Sequence, residues 1–554
     1  MKISNRVSTI KRLLLGLLCF ISFMYLIGII WINFHGKLWY NMDMYTDAYV
    51  SKLMWEQKTL FPRNWIFGNQ YYVIATPVLS ALFYGFFKDS FIAMACASTT
   101  MTLIVVGLFA WCFKPAANKS GILIGLFCII GGVILGNSAS ETVNGMQCLY
   151  TMCSYYACYM IGILLTLGIY LRLLLGHRIN YFLYGLSLAV SFALGMHSLR
   201  EMLILNIPLI ILECVHWLSA FRKEKSVRTV WGGHKRRIVY VFAVFVANCA
   251  GLISIKFLNI LSNPIISDIS LELNPHNLLQ NLASSTKDLL TISGLIFCTY
   301  GLAWMPLFLC SLVIVSAVIY TIICIIKYRD HSLLANIVAF SAISLLCVYG
   351  TGIFLFRTRA LYYFVWYLLA SSSIVYVFEK GHLREKMQVM MILVLCGIGG
   401  VNYFCNFVTD YFEYAEKNCQ FEQITQELLN QGVTCMYVDI HTSPRIPVYS
   451  KDKMISGTFK YDYEETDGYM LDAIDYLIPT DIFGERDNES SVICLSNWSF
   501  SHLEKKAPKQ YITKLISLLE PVGQYSITND TTYYVYKAPY QMIRPPKVSG
   551  NSGI

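Results

Sequence analysis

The feature that most constrains this chain is a succession of apolar runs, each about twenty residues long, joined by loops whose basic residues alternate between rich and poor. A run of that length rises about 30 Å as a helix, the thickness of a bilayer's hydrocarbon core. Lipid offers the backbone no hydrogen-bond partners, so runs of this kind are helical. We read about eleven spans, at approximately 13–34, 91–113, 121–136, 148–171, 180–196, 202–220, 238–261, 300–326, 334–356, 361–378 and 387–407. With the N-terminus inside, the inner loops hold Lys114 and Lys119, Arg172 and Arg178, the cluster from Arg222 to Arg237, Lys327 and Arg329, and Lys380, Arg384 and Lys386. The outer loops after the first segment hold few: Arg200, Lys287, Arg357 and Arg359. This asymmetry orients the chain N-in and C-out. It also places 73–87 in the outer interface, because a full span there would invert every later loop. Pro77 and Gly85 suit an interfacial helix.

Composition agrees with a polytopic membrane protein. Only 14% of residues are charged, against about a quarter in soluble domains. The net charge of +9 would otherwise suggest nucleic acid, but the basic residues sit where they set topology, and no nucleic-acid partner is expected. The 18 cysteines form no CxxC pair and no Cys/His zinc spacing, and read as small buried hydrophobes. The first apolar run, 13–34, is longer than a signal-peptide core and lacks a small-residue cleavage site, so it is a retained helix.

We divide the chain into a transmembrane unit (1–408, with a first outer loop at 35–89), an extracytoplasmic α/β domain (409–540) and a disordered end (541–554). In the tail, 434–440 and 492–495 read as buried strands, 511–519 as a helix, and 525–527 with 533–536 as a hairpin.

The chemistry concentrates between Tyr40 and Asp89. Asp43 and Asp47 are four residues apart, so on a helix both face the same way. A carboxylate at the mouth of a membrane cavity can act as general base on a hydroxyl or ligate a divalent cation. The run after Asp47 alternates apolar and polar at helical spacing until Leu60-Phe61-Pro62, which reads as a helix lying on the membrane surface. Arg357 and Arg359, in Phe-Arg-Thr-Arg-Ala-Leu-Tyr-Tyr, stand against the positive-inside bias where a guanidinium can pair with a lipid phosphate. Arg200, with His197 and Glu201, is a second such group, and His276 a weaker one. Asp439-Ile440-His441 follows a strand but makes no triad. The chain has no GxGxxG before a strand–helix unit, no GxxxxGK[ST] and no HExxH.

One span, an outward Asp, a juxtamembrane helix ending near Leu-x-Pro, and a Pro-bearing second interfacial helix together resemble the GT-C superfamily of integral membrane glycosyltransferases, in particular its protein O-mannosyltransferase and aminoarabinose transferase branches. The resemblance covers roughly residues 10–380. It implies an all-α polytopic fold and transfer of a sugar, with inversion, from a polyprenyl-phosphate donor to an extracytoplasmic glycan, lipid or protein acceptor at the cell membrane. It implies Asp47, with Asp43 second, as catalytic base, Glu141 as a second acidic site, and Arg357, Arg359 and Arg200 on the lipid phosphate. A divalent cation, Mg or Mn, would draw on Asp43, Asp47, Glu141 and His197. Two departures leave metal use and sugar class open: Ala75-Thr76-Pro77 stands where some branches have Lys-Pro-Pro, and Asp43/Asp47 is not a close Asp-x-Asp. The other classes weighed are a transporter or flippase of lipid-linked sugars, and a non-enzymatic envelope scaffold.

Overall fold

The computed structural model describes residues 2–35, 42–67, 71–134, 145–151, 156–177, 180–261, 278–295, 305–354, 363–380, 384–404, 411–439, 442–459, 471–472, 478–479, 490–506, 509–528, 531–537 and 543–544. The helices of the first part are α1 (Lys2–His35), α2 (Met42–Glu56), α3 (Thr76–Phe87), α4 (Ser90–Phe113), α5 (Lys119–Phe127), α6 (Gly145–Leu149), α7 (Ala157–Leu174), α8 (Tyr181–His197), α9 (Ile207–Glu224), α10 (Val227–Leu261), α11 (Leu278–Ile292), α12 (Met305–Tyr328), α13 (Leu333–Phe354), α14 (Phe364–Lys380) and α15 (Glu385–Phe404). π-Helical turns at Cys128–Gly132 and Met202–Asn206 extend α5 and introduce α9. The apolar runs read from the sequence overlap these helices, the run at 148–171 falling on both α6 and α7. Eight of the described helices are long and apolar enough to cross a membrane, and the chain is a multi-pass membrane protein.

The basic loops gather at one end of the bundle. There Lys11 Nζ lies 2.6 Å from Gln388 Oε1, joining the starts of α1 and α15. Asn118 Nδ2 donates to Glu379 at 2.8 Å, joining the α4–α5 turn to the end of α14. Arg172 donates to the Trp111 carbonyl at 2.8 Å and stacks 3.8 Å over its ring.

The opposite end carries the segment between α1 and α4. At 12 residues, α3 rises about 18 Å, too short to span. It turns into α4 through Lys88, at φ 54°, with the Asp89 carboxylate capping Ile92 N–H at 2.9 Å. Gly85 leaves room for the Trp55 indole, which packs α3 onto α2.

Helix α2 is not the surface-lying helix expected from its alternation. Residues Met44 to Ser51 are all buried. The membrane bundle and α3 cover one side, and the C-terminal region covers the other. The helix also stops at Glu56, ahead of Pro62, in a turn with Lys58 at φ 53°.

That C-terminal region begins with α16 (Tyr411–Asn430) and adds α17 (Arg445–Tyr449), α18 (Asn497–Lys506) and α19 (Lys509–Ser517). In chain order the strands are β1 (Trp65–Ile66, from the outer segment), β2 (Cys435–Val438), β3 (Ile455–Thr458), β4 (Leu471–Asp472), β5 (Ile478–Pro479), β6 (Ser491–Ser496), β7 (Glu520–Thr528), β8 (Thr531–Lys537) and β9 (Ile543–Arg544). The main sheet has the order β3-β2-β6-β8-β7. Its β3, β2 and β6 run parallel, β8 is antiparallel to β6, and β7–β8 is a hairpin. The strands and helix read from the tail sequence all appear. The disordered end read at 541–554 is corrected at one point: Ile543–Arg544 pair in parallel with Leu471–Asp472, and 545–554 lie outside the described residues.

Helices α8 and α10 cross at backbone contact. A Cβ on Gly195 would collide with the Asn248 carbonyl, and one on Gly251 with the Phe192 carbonyl. Small residues at such crossings let helices approach in lipid, where apolar side chains gain little from one another. Gly251→Leu is expected to cost about 1–3 kcal/mol of stability through overpacking, read as a lower unfolding temperature in detergent, whereas Gly107→Leu, facing open space, leaves it near the parent's.

Candidate active site

Asp47 sits in the middle of α2, 3% exposed. An aromatic knot positions what faces it. Phe61, Phe67 and Tyr71 pack edge to face, each of the last two with centroids 4.9 Å from its neighbour. Trp65 packs on Tyr49 of α2 at 5.8 Å. The chain leaving the knot presents the Tyr72 hydroxyl to the Asp47 carboxylate. One residue on, Val73 N–H donates to His197 Nε2 at 3.0 Å. A three-residue segment thus joins α2 to the end of α8. His197 is 2% exposed and lies edge-on to Tyr159 at 6.1 Å.

Arg200 is close enough to His197 to act on it electrostatically. Its guanidinium lies 5.6 Å from the Tyr156 ring, and Tyr156 stacks on Phe364 at 5.7 Å. Phe364 opens α14, just after the Arg357–Arg359 turn in sequence. Asp43, partly buried, faces α6: its charge reaches Asp47 and Cys148. Asn33 of α1 and Thr102 of α4 each hydrogen-bond the Tyr150 carbonyl at 3.1 Å, which fixes α6 in the bundle. Asp43, Asp47, His197 and Arg200 therefore share one end of the bundle, opposite the basic loops. Glu141, Arg357, Arg359, His276 and His441 lie outside the described residues.

Burial, the charge of Asp43 and the Tyr72 hydrogen bond act together on Asp47. Burial dominates, Asp43 adds to it, Tyr72 opposes it, and the carboxyl is held well above its ordinary value.

Glu201 does not pair with Arg200. It turns inward, 1% exposed, where Asn248 Nδ2 donates to Oε2. Among the described residues no three His, Cys, Asp or Glu gather, and His197 Nε2 accepts from a backbone amide. Asp439 serves its own turn, accepting Thr442 N–H at 3.1 Å.

The C-terminal region closes over α2. Tyr45 and Tyr449 hydroxyls meet at 2.7 Å in a buried hydrogen bond, Lys52 pairs with Asp452 at 3.3 Å, and β1 pairs with β5. Tyr72, Tyr45 and Lys52 were not singled out from the sequence. In a chain with 38 tyrosines, nothing local marks the one that faces the carboxylate.

The raised value has a consequence for stability. A carboxyl whose folded-state pKa exceeds its unfolded value contributes fully below the ordinary 3.8, and that contribution is lost as pH rises through the folded value. Asp47→Asn is expected to unfold at higher temperature than the parent at pH 7.5, with the gap closing toward pH 4, in parallel melting curves.

No family model and no curated protein matches the chain. Among solved structures it is similar to ArnT from Cupriavidus metallidurans bound to undecaprenyl phosphate, at 10% identity over 94% of this chain and 98% of that one, with TM-score 0.48. It is similar to the apo state of the same protein at 9% identity, with the same coverage and TM-score 0.49. A likeness that distant assigns no activity; what the chain's own residues establish is a multi-pass helical membrane protein with a buried carboxylate at one end, under a small α/β cap.

Proposed function

We propose that this protein is an integral membrane glycosyltransferase that moves a sugar from a polyprenyl-phosphate donor to an extracytoplasmic acceptor. The observation that carries the reading is Asp47: a carboxylate held out of water on a non-spanning helix, away from the basic loops, with a histidine and an arginine at the same end. A structural role rarely calls for such a group, and a general base benefits from a pKa raised toward working pH. The resemblance read from the sequence supplies the donor class.

The reaction is a single displacement. The Asp47 carboxylate takes the proton of the acceptor hydroxyl, whose oxygen bonds to the anomeric carbon. The bond from that carbon to the phosphate oxygen breaks, and polyprenyl phosphate leaves with the electron pair. Arg200, with Arg357 and Arg359, holds the leaving phosphate's charge; orientation and charge stabilisation supply most of the rate. Asp43 keeps Asp47 basic by repulsion. In this reading the cap over α2 lies on the acceptor side, and the charge of the loops supports an extracytoplasmic C-terminal domain.

A buried ionic group favours a transporter to a lesser degree. Glu213 takes hydrogen bonds from Tyr170 at 2.6 Å and His234 at 2.7 Å, with Arg237 at 3.3 Å. Its charges are mutually paired and lie toward the basic end, which suits a structural tie between α7, α9 and α10.

Asp47→Asn is expected to lower transfer by about 10²–10⁴-fold with expression retained, measured on membranes with a lipid-linked sugar donor; undiminished transfer would overturn the assignment. Tyr72→Phe removes the hydrogen bond that holds Asp47 down, so the acidic limb of the pH–rate profile is expected to move to higher pH.

A further inference from the structure

Where the cap meets the bundle, a cavity of about 190 Å³ opens between the α3–α4 turn and the turn after α17. At about 30 Å³ per water it holds roughly six waters, the room for one sugar ring. Lys88, Asp89, Ser90 and Phe91 line one wall and Lys451 and Asp452 the other. Ser90, 9% exposed, backs the first wall with its hydroxyl covered by protein.

The lining selects the ligand's chemistry. Two lysines stand against two aspartates, so net charge favours neither an anion nor a cation. Each aspartate is already half engaged: Asp89 caps α4 and Asp452 holds Lys52 at 3.3 Å, leaving further acceptor capacity. The ammonium groups donate, the carboxylates accept, and the Phe91 ring offers an apolar face. A ligand that both donates and accepts at several points and carries a C–H face is a saccharide. Lys88 (φ 54°), Lys451 (φ 52°) and Asp452 (φ 64°) hold left-handed backbone, so both turns present their groups from defined positions. Lys52 is on α2, five residues beyond Asp47, which puts the cavity beside the candidate catalytic helix and apart from its carboxylate.

We propose that this cavity is a saccharide subsite that holds one sugar unit of the acceptor. As an acceptor subsite it rests on the transferase reading above; as a saccharide site it rests on its own lining.

The test uses full-length protein in lipid nanodiscs and saturation-transfer NMR with methyl α-mannoside, methyl β-glucoside, methyl N-acetyl-β-glucosaminide and methyl α-rhamnoside. At least one glycoside is expected to receive saturation, and Lys88→Ala and Lys451→Ala each to weaken its binding about fivefold with unchanged melting temperature. Asp47→Asn is expected to keep that binding while losing transfer. Absence of any glycoside signal, a signal indifferent to both variants, or displacement of the glycoside by inorganic phosphate or by Mg²⁺ at low millimolar concentration overturns the site. Absence of transfer by the parent protein with glycoside still bound overturns the transferase reading instead and leaves the saccharide site standing, and retained transfer in Asp47→Asn overturns Asp47 as its base.

Discussion

A carboxylate kept out of water is the condition on which the capped end of this protein depends. Burying Asp47 disfavours its charged form, and Asp43 disfavours it further. Only a surrounding structure that is itself well held can maintain such a group. Three ties supply that hold. The aromatic knot of Phe61, Phe67 and Tyr71 fixes the chain that brings Tyr72 to the carboxylate. The Val73–His197 hydrogen bond anchors that chain to α8. The Tyr45–Tyr449 and Lys52–Asp452 contacts clamp α2 from above.

The arrangement separates labour between bilayer and cap. The spanning helices satisfy their own backbones and pack through small residues such as Gly195 and Gly251. The groups able to do chemistry collect where those helices end. Parallel strands β3, β2 and β6 make the cap an α/β layer with its own core, including Cys435, Tyr437, Ile493 and Leu515. Its turn after α17 reaches α2 and the α3–α4 turn together, so the cap both covers the carboxylate helix and builds the second wall of the neighbouring cavity.

Much of this was legible in the sequence. A twenty-residue apolar run has few alternatives in lipid, so the helices followed from composition alone. The β7–β8 hairpin and the buried strands β2 and β6 were legible for the same reason: their patterns are local. Asp47 stood out because a carboxylate directly after a span is visible in one dimension. The burial of α2 was not legible. Its alternation of apolar and polar residues is what a helix on a membrane surface would show, and the partner that covers its polar side comes from some 400 residues later in the chain.

Sequence by itself determined the rough position of the apolar helices and drew attention to the acidic residue between the first two, because each depends on local hydrophobicity or on the near absence of charge. Tertiary structure alone decided which tyrosine meets Asp47, that Glu201 turns inward to Asn248 instead of pairing with Arg200, and that the tail seals α2 and shapes a polar cavity beside it. Those outcomes rest on contacts between residues far apart in the chain, where neither spacing nor residue type reveals the partner.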